Sequence, residues 1–382
     1  MRIVHVITRL IVGGAQENTL LSCQAQHEHG HDVTLITGPP LGPEGSLMNE
    51  ARSGGFKIEV IDQMRRAILP VKDWQTYRML MRRFREIKPD VVHTHSSKAG
   101  IIGRRVARAA GVPLIVHTVH GLAFTASTHR VVNDFYKYLE RRAAPLTDRI
   151  VCVADAMRNQ SLAAGIGEAK QYVTIYSGMR TEPFLNSLTV RDEMRARLGL
   201  KSEHVAVGTI ARLFDLKGHD DLLELAPELC GRLPNLRFLW VGDGKLRGEF
   251  ERRMNEMGLR DRFILTGLVP PEKVPELTGA MDLLVHPSRR EGLARALPQA
   301  ALCGKPVIAY DIDGNGEGMI NGQTGFLLRP FEKPKLAEAI ARLADDASLR
   351  AEMGGKGREF AMGRFDVKVM AAALEDLYSR KL

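Results

Sequence analysis

Apolar and polar positions alternate between two periods along the whole chain. Short β-rich runs ("RIVHVI", "DVTLIT", "KIEVI", "DVVHTH", "PLIVHTV", "DRIVCVA" and "YVTIY") recur through the first half. Between them lie stretches of helical spacing, among them Ala15–His29, Lys72–Ile87 and Val131–Ala143. Continuously apolar strands flanked by helices predict a parallel sheet covered on both faces. A second series, "HVAVGTI", "LRFLWVG", "RFILTG", "DLLVHP", "PVIAY" and "GFLL", repeats the pattern. Gly and Pro in "SGMRTEPF" (Ser177–Phe184) break the rhythm between the two series. The pattern therefore predicts an α/β protein of two Rossmann-like domains, with ligands at the carboxyl ends of the strands. If those ends face each other, the active site is the cleft between the domains.

Length and composition agree with this division. A chain of 382 residues is too long for one ordinary core. No apolar run approaches the ~20 residues of a membrane span. The opening "MRIVHVITRL" reads as a first strand followed by a glycine turn, not as a signal peptide. Cys23, Cys152, Cys230 and Cys303 have neither paired nor metal-like spacing, and are expected to be buried thiols in a reducing compartment. The net charge of +9 is uneven: residues 1–185 hold 24 Lys and Arg against 16 Asp and Glu, whereas 186–382 hold 30 against 29. A basic first half suits an anionic partner. Nucleic acid is not expected, because no recognition module or aromatic stacking set is visible.

Four loops invite a chemical reading. Gly13 and Gly14, in "IVGGAQEN", follow the first strand and permit close approach of a ligand to the backbone. In "VGDGKLRGEF" the third glycine is one residue too far along for a dinucleotide fingerprint, so a tight turn is expected. In "HPSRREGLARALPQAAL" a helix is expected to start at Glu291–Gly292. The amides of Gly292, Leu293 and Ala294 would then meet a phosphate. Glu291 beside them would accept hydrogen bonds from sugar hydroxyls. Arg212 and Lys217, in "ARLFDLKGHDDLL", supply two cations for a diphosphate.

Taken together, "VGGAQENTL", "HTHSSKAGIIGR", "VHTVHGLAF", "IYSGM", "ARLFDLKGHDDLL", "VGDGKLR", "TGLVPPEKVPEL", "HPSRREGLARALPQAALCGKPVIAYDIDG", "GQTGFLL" and a final helix after "RFD" resemble the family-4 glycosyltransferases. The pieces run in family order across nearly the whole chain. The resemblance implies the two-domain GT-B fold, with an acceptor-side domain over 1–182 and a donor-binding domain over 183–363. A C-terminal helix over 364–382 would return to the first domain. It implies that Arg212 and Lys217 hold the donor's phosphates and that Glu291 contacts the transferred sugar. His120 would lie near that sugar, and the backbone at Leu268 would face the base. The family's second glutamate, which binds the nucleotide ribose, is here Gln299. An amide both accepts and donates hydrogen bonds, so altered ribose contact is expected, not loss of activity. His93, His95 and His117 look like strand residues, with no carboxylate at ligand spacing.

The implied reaction is retaining transfer from a UDP-sugar to a hydroxyl, with the leaving phosphate oxygen assisting deprotonation of the acceptor. The subgroup resembled acts on lipid-linked saccharides in polysaccharide assembly. No metal or other cofactor is expected. A nucleotide-sugar epimerase shares the fold, but the Glu291 motif opposes it; Arg212, Lys217 and Glu291 together oppose a non-catalytic sugar-nucleotide or lipid-binding protein. A cytoplasmic location is expected, with reversible attachment to the inner face of the membrane. "VKDWQTYRMLMRRFREIK" (Val71–Lys88) offers the means. Trp74, Tyr77, Met81 and Phe84 would form an inner stripe and Arg78, Arg82, Arg83 and Arg85 would face anionic lipid.

Overall fold

The computed structural model describes residues 1–42, 45–125 and 128–380. They form two compact units, Met1–Met179 with Val367–Leu382, and Arg180–Asp366. The chain passes between units at 179–180 and 366–367, not at 182 and 363.

The first unit holds β1 (Arg2–Ile7), β2 (Asp32–Thr37), β3 (Lys57–Val60), β4 (Val91–His95), β5 (Leu114–Val119), β6 (Arg149–Cys152) and β7 (Tyr172–Thr174). They pair in the order β3-β2-β1-β4-β5-β6-β7, every pair parallel. The connection reverses direction between β1 and β4, where open α/β sheets leave a crevice. Successive residues of β1 serve opposite cores. Ile3 and Ile7 pack with Leu374, Leu377 and Tyr378 of the helix Val367–Ser379, and Val4 and Val6 pack with Leu80, Phe84 and Val106. This two-sided burial is why β1 reads as an apolar run with His5 inside it.

The helix Pro70–Ile87 turns Phe84 into the core and packs Tyr77 and Met81 against it, as expected of the inner stripe, but leaves Trp74 out. Its buried residues are Thr76, Leu80 and Phe84, spaced by four, while Trp74 is 58% exposed. Arg83 is also not a free outer cation: its Nε donates to Glu59 Oε2 at 2.7 Å.

The second unit holds β8 (Val205–Ile210), β9 (Leu236–Val241), β10 (Phe263–Leu265), β11 (Leu283–His286), β12 (Val307–Tyr310) and β13 (Gly325–Leu328). Their order is β10-β9-β8-β11-β12-β13, again parallel throughout. No helix among the described residues is long and apolar enough to cross a membrane. All four cysteines are buried and free of disulfides.

The helix Ala347–Phe365 lies against the helix Ala296–Leu302 and the turn that follows it. Gly354 makes that approach possible, because a Cβ there would meet the Gly304 carbonyl oxygen at 2.0 Å. Gly355, its exposed neighbour, has nothing within 4 Å of a Cβ. Gly354→Ala is therefore expected to destabilise the protein by about 1–3 kcal/mol through overpacking. Gly355→Ala should stabilise it by up to about 1 kcal/mol through helix propensity. Thermal unfolding of the two variants checks this opposition of sign.

Candidate active site

In the second unit four neighbouring strands, β9, β8, β11 and β12, send their carboxyl ends into loops that lock together. Gly242 and Gly244 sit against the backbone after β8. A Cβ would meet Ala211 O at 2.2 Å and Leu213 O at 2.3 Å, respectively. The glycines of "VGDGK" thus serve a close turn. The loop at 214–218 is pinned to the loop after β11. Leu216, at φ 68°, offers its carbonyl to the Arg289 amide at 2.8 Å and to Ser288 Oγ at 3.1 Å. Gly218, at φ 78°, lies where a Cβ would meet Pro287 O at 2.0 Å.

That locking brings Lys217 to Glu291. Lys217 Nζ lies 2.5 Å from Glu291 Oε1, and His286 Nε2, at the end of β11, lies 3.0 Å from the same oxygen. Burial alone would raise the Glu291 carboxyl. The hydrogen bond from His286 and the charge of Lys217 outweigh burial and bring it down from 4.5 to about 2. Glu291 is therefore ionised and oriented at neutral pH. Its amide donates to Asp313 Oδ2 at 3.0 Å, so the loop after β12 also holds it.

The expected helix at Gly292 is not there. The helix starts at Ala296, and residues 291–294 form a bent loop. Pro298 is the physical reason. In a helix begun at Gly292 it would stand in the interior, without an N–H and with its ring against the Ala294 carbonyl. Begun at Ala296, the helix has Pro298 in its first turn, and the Ala294 carbonyl accepts from the Leu297 amide at 3.1 Å. The amide of Ala294 is engaged by Asn315 Oδ1 at 3.4 Å. The amides of Gly292 and Leu293 make no hydrogen bond among the described residues, so two backbone donors stand where three were expected. The Gly292 carbonyl accepts from Gly314 at 2.7 Å.

Arg212 follows β8, with its guanidinium 5.0 Å from the Phe214 ring centroid. Gln299 is half-buried in the helix Ala296–Leu302, and its side chain makes no hydrogen bond among the described residues. Leu268 follows Gly267, which has φ 72°, and is exposed.

In the first unit Gly13 and Gly14 end the loop after β1 and start the helix Gly14–Glu28. Gly13, at φ 171°, is extended, and its carbonyl accepts from the Glu17 amide at 2.9 Å. His120 follows β5 and is half-buried, with Nε2 3.0 Å from His95 Nδ1. Behind it His5, His93 and His95 are buried together. Sequence reasoning missed His286 and Asp313 as supports of Glu291, Asn315 as the partner of the Ala294 amide, and His5 and His95 as supports of His120. For His286 and His5 a signal existed. Each is a histidine inside an apolar run that the pattern makes a strand, and burying an imidazole needs a partner.

Models of two domain families match the chain, "Glycosyltransferase Family 4" over residues 12–182 and "Glycosyl transferases group 1" over residues 190–360. A 2-deoxystreptamine glucosyltransferase of Streptomyces kanamyceticus is 30% identical over 74% of each chain. The chain belongs to the family-4 glycosyltransferases. The UDP-Gal:alpha-D-GlcNAc-diphosphoundecaprenol alpha-1,3-galactosyltransferase of Escherichia coli is 29% identical over 99% of this chain and 96% of its own. Anabaena HepE, solved in complex with UDP-glucose, superposes with a TM-score of 0.83 at 22% identity over 100% of both chains.

This glycosyltransferase should show the charge of Glu291 in its acid stability. A carboxyl lowered on folding contributes stability in full above its unfolded value near 4.5, and loses it as pH falls towards about 2. Glu291→Gln should therefore have a shallower dependence of unfolding free energy on pH between about pH 5 and 3 than the parent. Denaturant unfolding across that range measures the difference in slope.

Proposed function

We propose that the protein transfers a sugar, with retention of configuration, from a UDP-sugar to a hydroxyl of a polyprenyl-diphosphate-linked saccharide at the cytoplasmic leaflet. The observation that carries this reading is the ionised Glu291, held against Lys217 and His286 beside the two unengaged amides of Gly292 and Leu293. A carboxylate that stays charged accepts hydrogen bonds from the hydroxyls of the transferred sugar. Lys217 is shared between that carboxylate and the diphosphate, and Arg212 supplies the second cation. Those cations and amides neutralise the charge that grows on the leaving diphosphate, so no metal is needed for it. Gln299 takes the ribose, the backbone at Leu268 faces the base, Gly13 and Gly14 leave room for the ligand, and His120 meets the sugar. The bond from the anomeric carbon to the diphosphate breaks, the acceptor oxygen bonds that carbon on the face the diphosphate leaves, and a leaving phosphate oxygen takes the acceptor's proton, which gives retention. The acceptor class is supported by the Escherichia coli galactosyltransferase, similar over nearly the full length of both chains.

A panel of UDP- and GDP-sugars, offered with undecaprenyl-diphosphate-linked GlcNAc, tests the reading by product mass and anomer. Turnover of a UDP-sugar to an α-linked product is expected; no transfer from any donor overturns it. In the same assay Glu291→Ala and Lys217→Ala should each lose about 10²–10³-fold in turnover. Gln299→Glu, which restores the family's usual residue, should stay active.

The membrane side of the proposal rests on the first unit. Val71 and Trp74 are exposed on the helix Pro70–Ile87, with Arg78, Arg82 and Arg85 on its outer side, and the Arg78 guanidinium lies 4.9 Å from the Trp74 ring centroid. The helix Arg130–Ala143 likewise exposes Val131, Phe135 and Tyr138 beside Arg141 and Arg142. Cations near an anionic surface contribute about 1 kcal/mol each. Sedimentation with vesicles should therefore show binding to anionic but not neutral lipid. It should weaken with salt and in the triple variant Arg78→Gln, Arg82→Gln, Arg85→Gln. Equal binding to both vesicles, or none, overturns the electrostatic attachment.

A further inference from the structure

A continuous line of hydrogen bonds runs inward from His120. His120 Nε2 meets His95 Nδ1 at 3.0 Å, His95 Nε2 meets His5 Nδ1 at 2.9 Å, and His5 Nε2 meets Gln26 Oε1 at 2.7 Å. On its far side Gln26 Nε2 meets the Tyr378 hydroxyl at 3.3 Å. That hydroxyl lies 2.5 Å from His93 Nδ1, and His93 Nε2 lies 2.6 Å from Thr118 Oγ1. The ring planes of His5 and His95 are within 15° of parallel with centroids 5.2 Å apart, and those of His95 and His120 within 28° with centroids 5.3 Å apart; with the facing nitrogens 2.9 and 3.0 Å apart, each bond runs in line with both rings.

The inner imidazoles are neutral. Burial lowers His5 to about 4, and burial together with the neighbouring imidazoles lowers His93 and His95 well below the usual histidine range. His5, His93 and His95 also place nitrogens within 4.8 Å of one another, as a metal site would. The 2.9 Å between His5 Nδ1 and His95 Nε2 instead fits a shared proton. Two nitrogens bound tetrahedrally to one zinc ion at its usual ligand distance stand about 3.3 Å apart.

A neutral imidazole has one donor and one acceptor, and an amide oxygen only accepts. Gln26 Oε1 therefore requires the proton of His5 on Nε2. His5 Nδ1 must then accept from His95 Nε2, and His95 Nδ1 must accept from His120 Nε2. In the other direction Gln26 Nε2 donates to Tyr378, Tyr378 donates to His93 Nδ1, and His93 donates from Nε2 to Thr118. One amide thus sets the sense of the whole line. Turning that amide over would reverse every bond and put each imidazole proton on Nδ1.

We infer that Gln26 is a positioning residue that acts through His5 and His95 to fix His120 as the Nε2–H tautomer, so that His120 takes up and releases a proton at Nδ1 alone. The use made of Nδ1 rests on the reading that His120 meets the transferred sugar. There it accepts a hydrogen bond from a sugar hydroxyl and can become imidazolium without breaking the line behind it, since His120 donates from Nε2 in both states. Tyr378 belongs to the C-terminal helix Val367–Ser379, so that helix completes the same line.

Long-range proton–nitrogen correlation spectra of the full chain, labelled with ¹⁵N in histidine, read the tautomers directly. Single replacements of His5, His93, His95 and His120 assign the signals. All four are expected as Nε2–H at neutral pH, and Nδ1–H at His5, His95 or His120 overturns the inference. Gln26→Met removes both ends of the amide at similar volume, and should turn the single tautomer of His120 into a mixture. An unchanged His120 in a variant that unfolds at the parent's temperature also overturns it. If Gln26→Met does not fold, the parent's pattern decides alone. Full turnover by His120→Ala beside an intact Nε2–H pattern overturns the role of His120 at the sugar, and not the tautomer assignment.

Discussion

Parallel strand pairing is the constraint from which the rest follows. When every strand in a sheet runs the same way, every loop that leaves a strand end emerges at one edge. In the second unit this gathers the loops after β9, β8, β11 and β12 side by side. Their sequences then decide how closely they approach. Gly218, Gly242 and Gly244 let backbones touch where any Cβ would collide. The result is a closely locked rim, and Glu291 belongs to it because the loop after β8 holds its side chain, while the loop after β12 holds its amide and the carbonyl of Gly292.

The two units solve opposite electrostatic problems. Around Glu291 a buried carboxylate is kept charged, because Lys217 and His286 repay the lost hydration. Around His5, His93 and His95 imidazoles are kept neutral, because burial has removed water and only neutral partners replace it. Both arrangements fix direction. The first aims one carboxylate oxygen, and the second aims protons along a line.

The central strands were legible in the sequence because they are buried on both faces and read as apolar runs, whereas the edge strands β3 and β7 are only partly buried. The family was legible because many weak motifs keep their order. Lys217 beside Glu291 was legible as chemistry but not as a contact, since the two lie far apart in sequence and only the turn at Leu216 and Gly218 joins them. The helix start at Ala296 was legible in Pro298, which a helix interior disfavours, whereas Gly292 permits a start without marking one. On the helix Pro70–Ile87 the inward face was legible at Tyr77, Met81 and Phe84 but not at Trp74. Thr76 and Leu80 fill that interface, which leaves Trp74 outside. The histidine line could not be seen at all, since it depends on which neighbours the parallel register puts abreast: His5 beside His93 on adjacent strands, and Tyr378 brought in from the other end of the chain.

The return of the helix Val367–Ser379 to the first unit has a temporal consequence. A ribosome makes the chain in order, and compact units generally form as their segments emerge. The second unit is one uninterrupted stretch, so it is complete in composition while the first still lacks Leu374, Leu377 and Tyr378 from its core. The unit whose synthesis begins first is therefore the one finished last. Until the final turn of helix is translated, one flank of its sheet, with Gln26 among the buried residues there, waits uncovered.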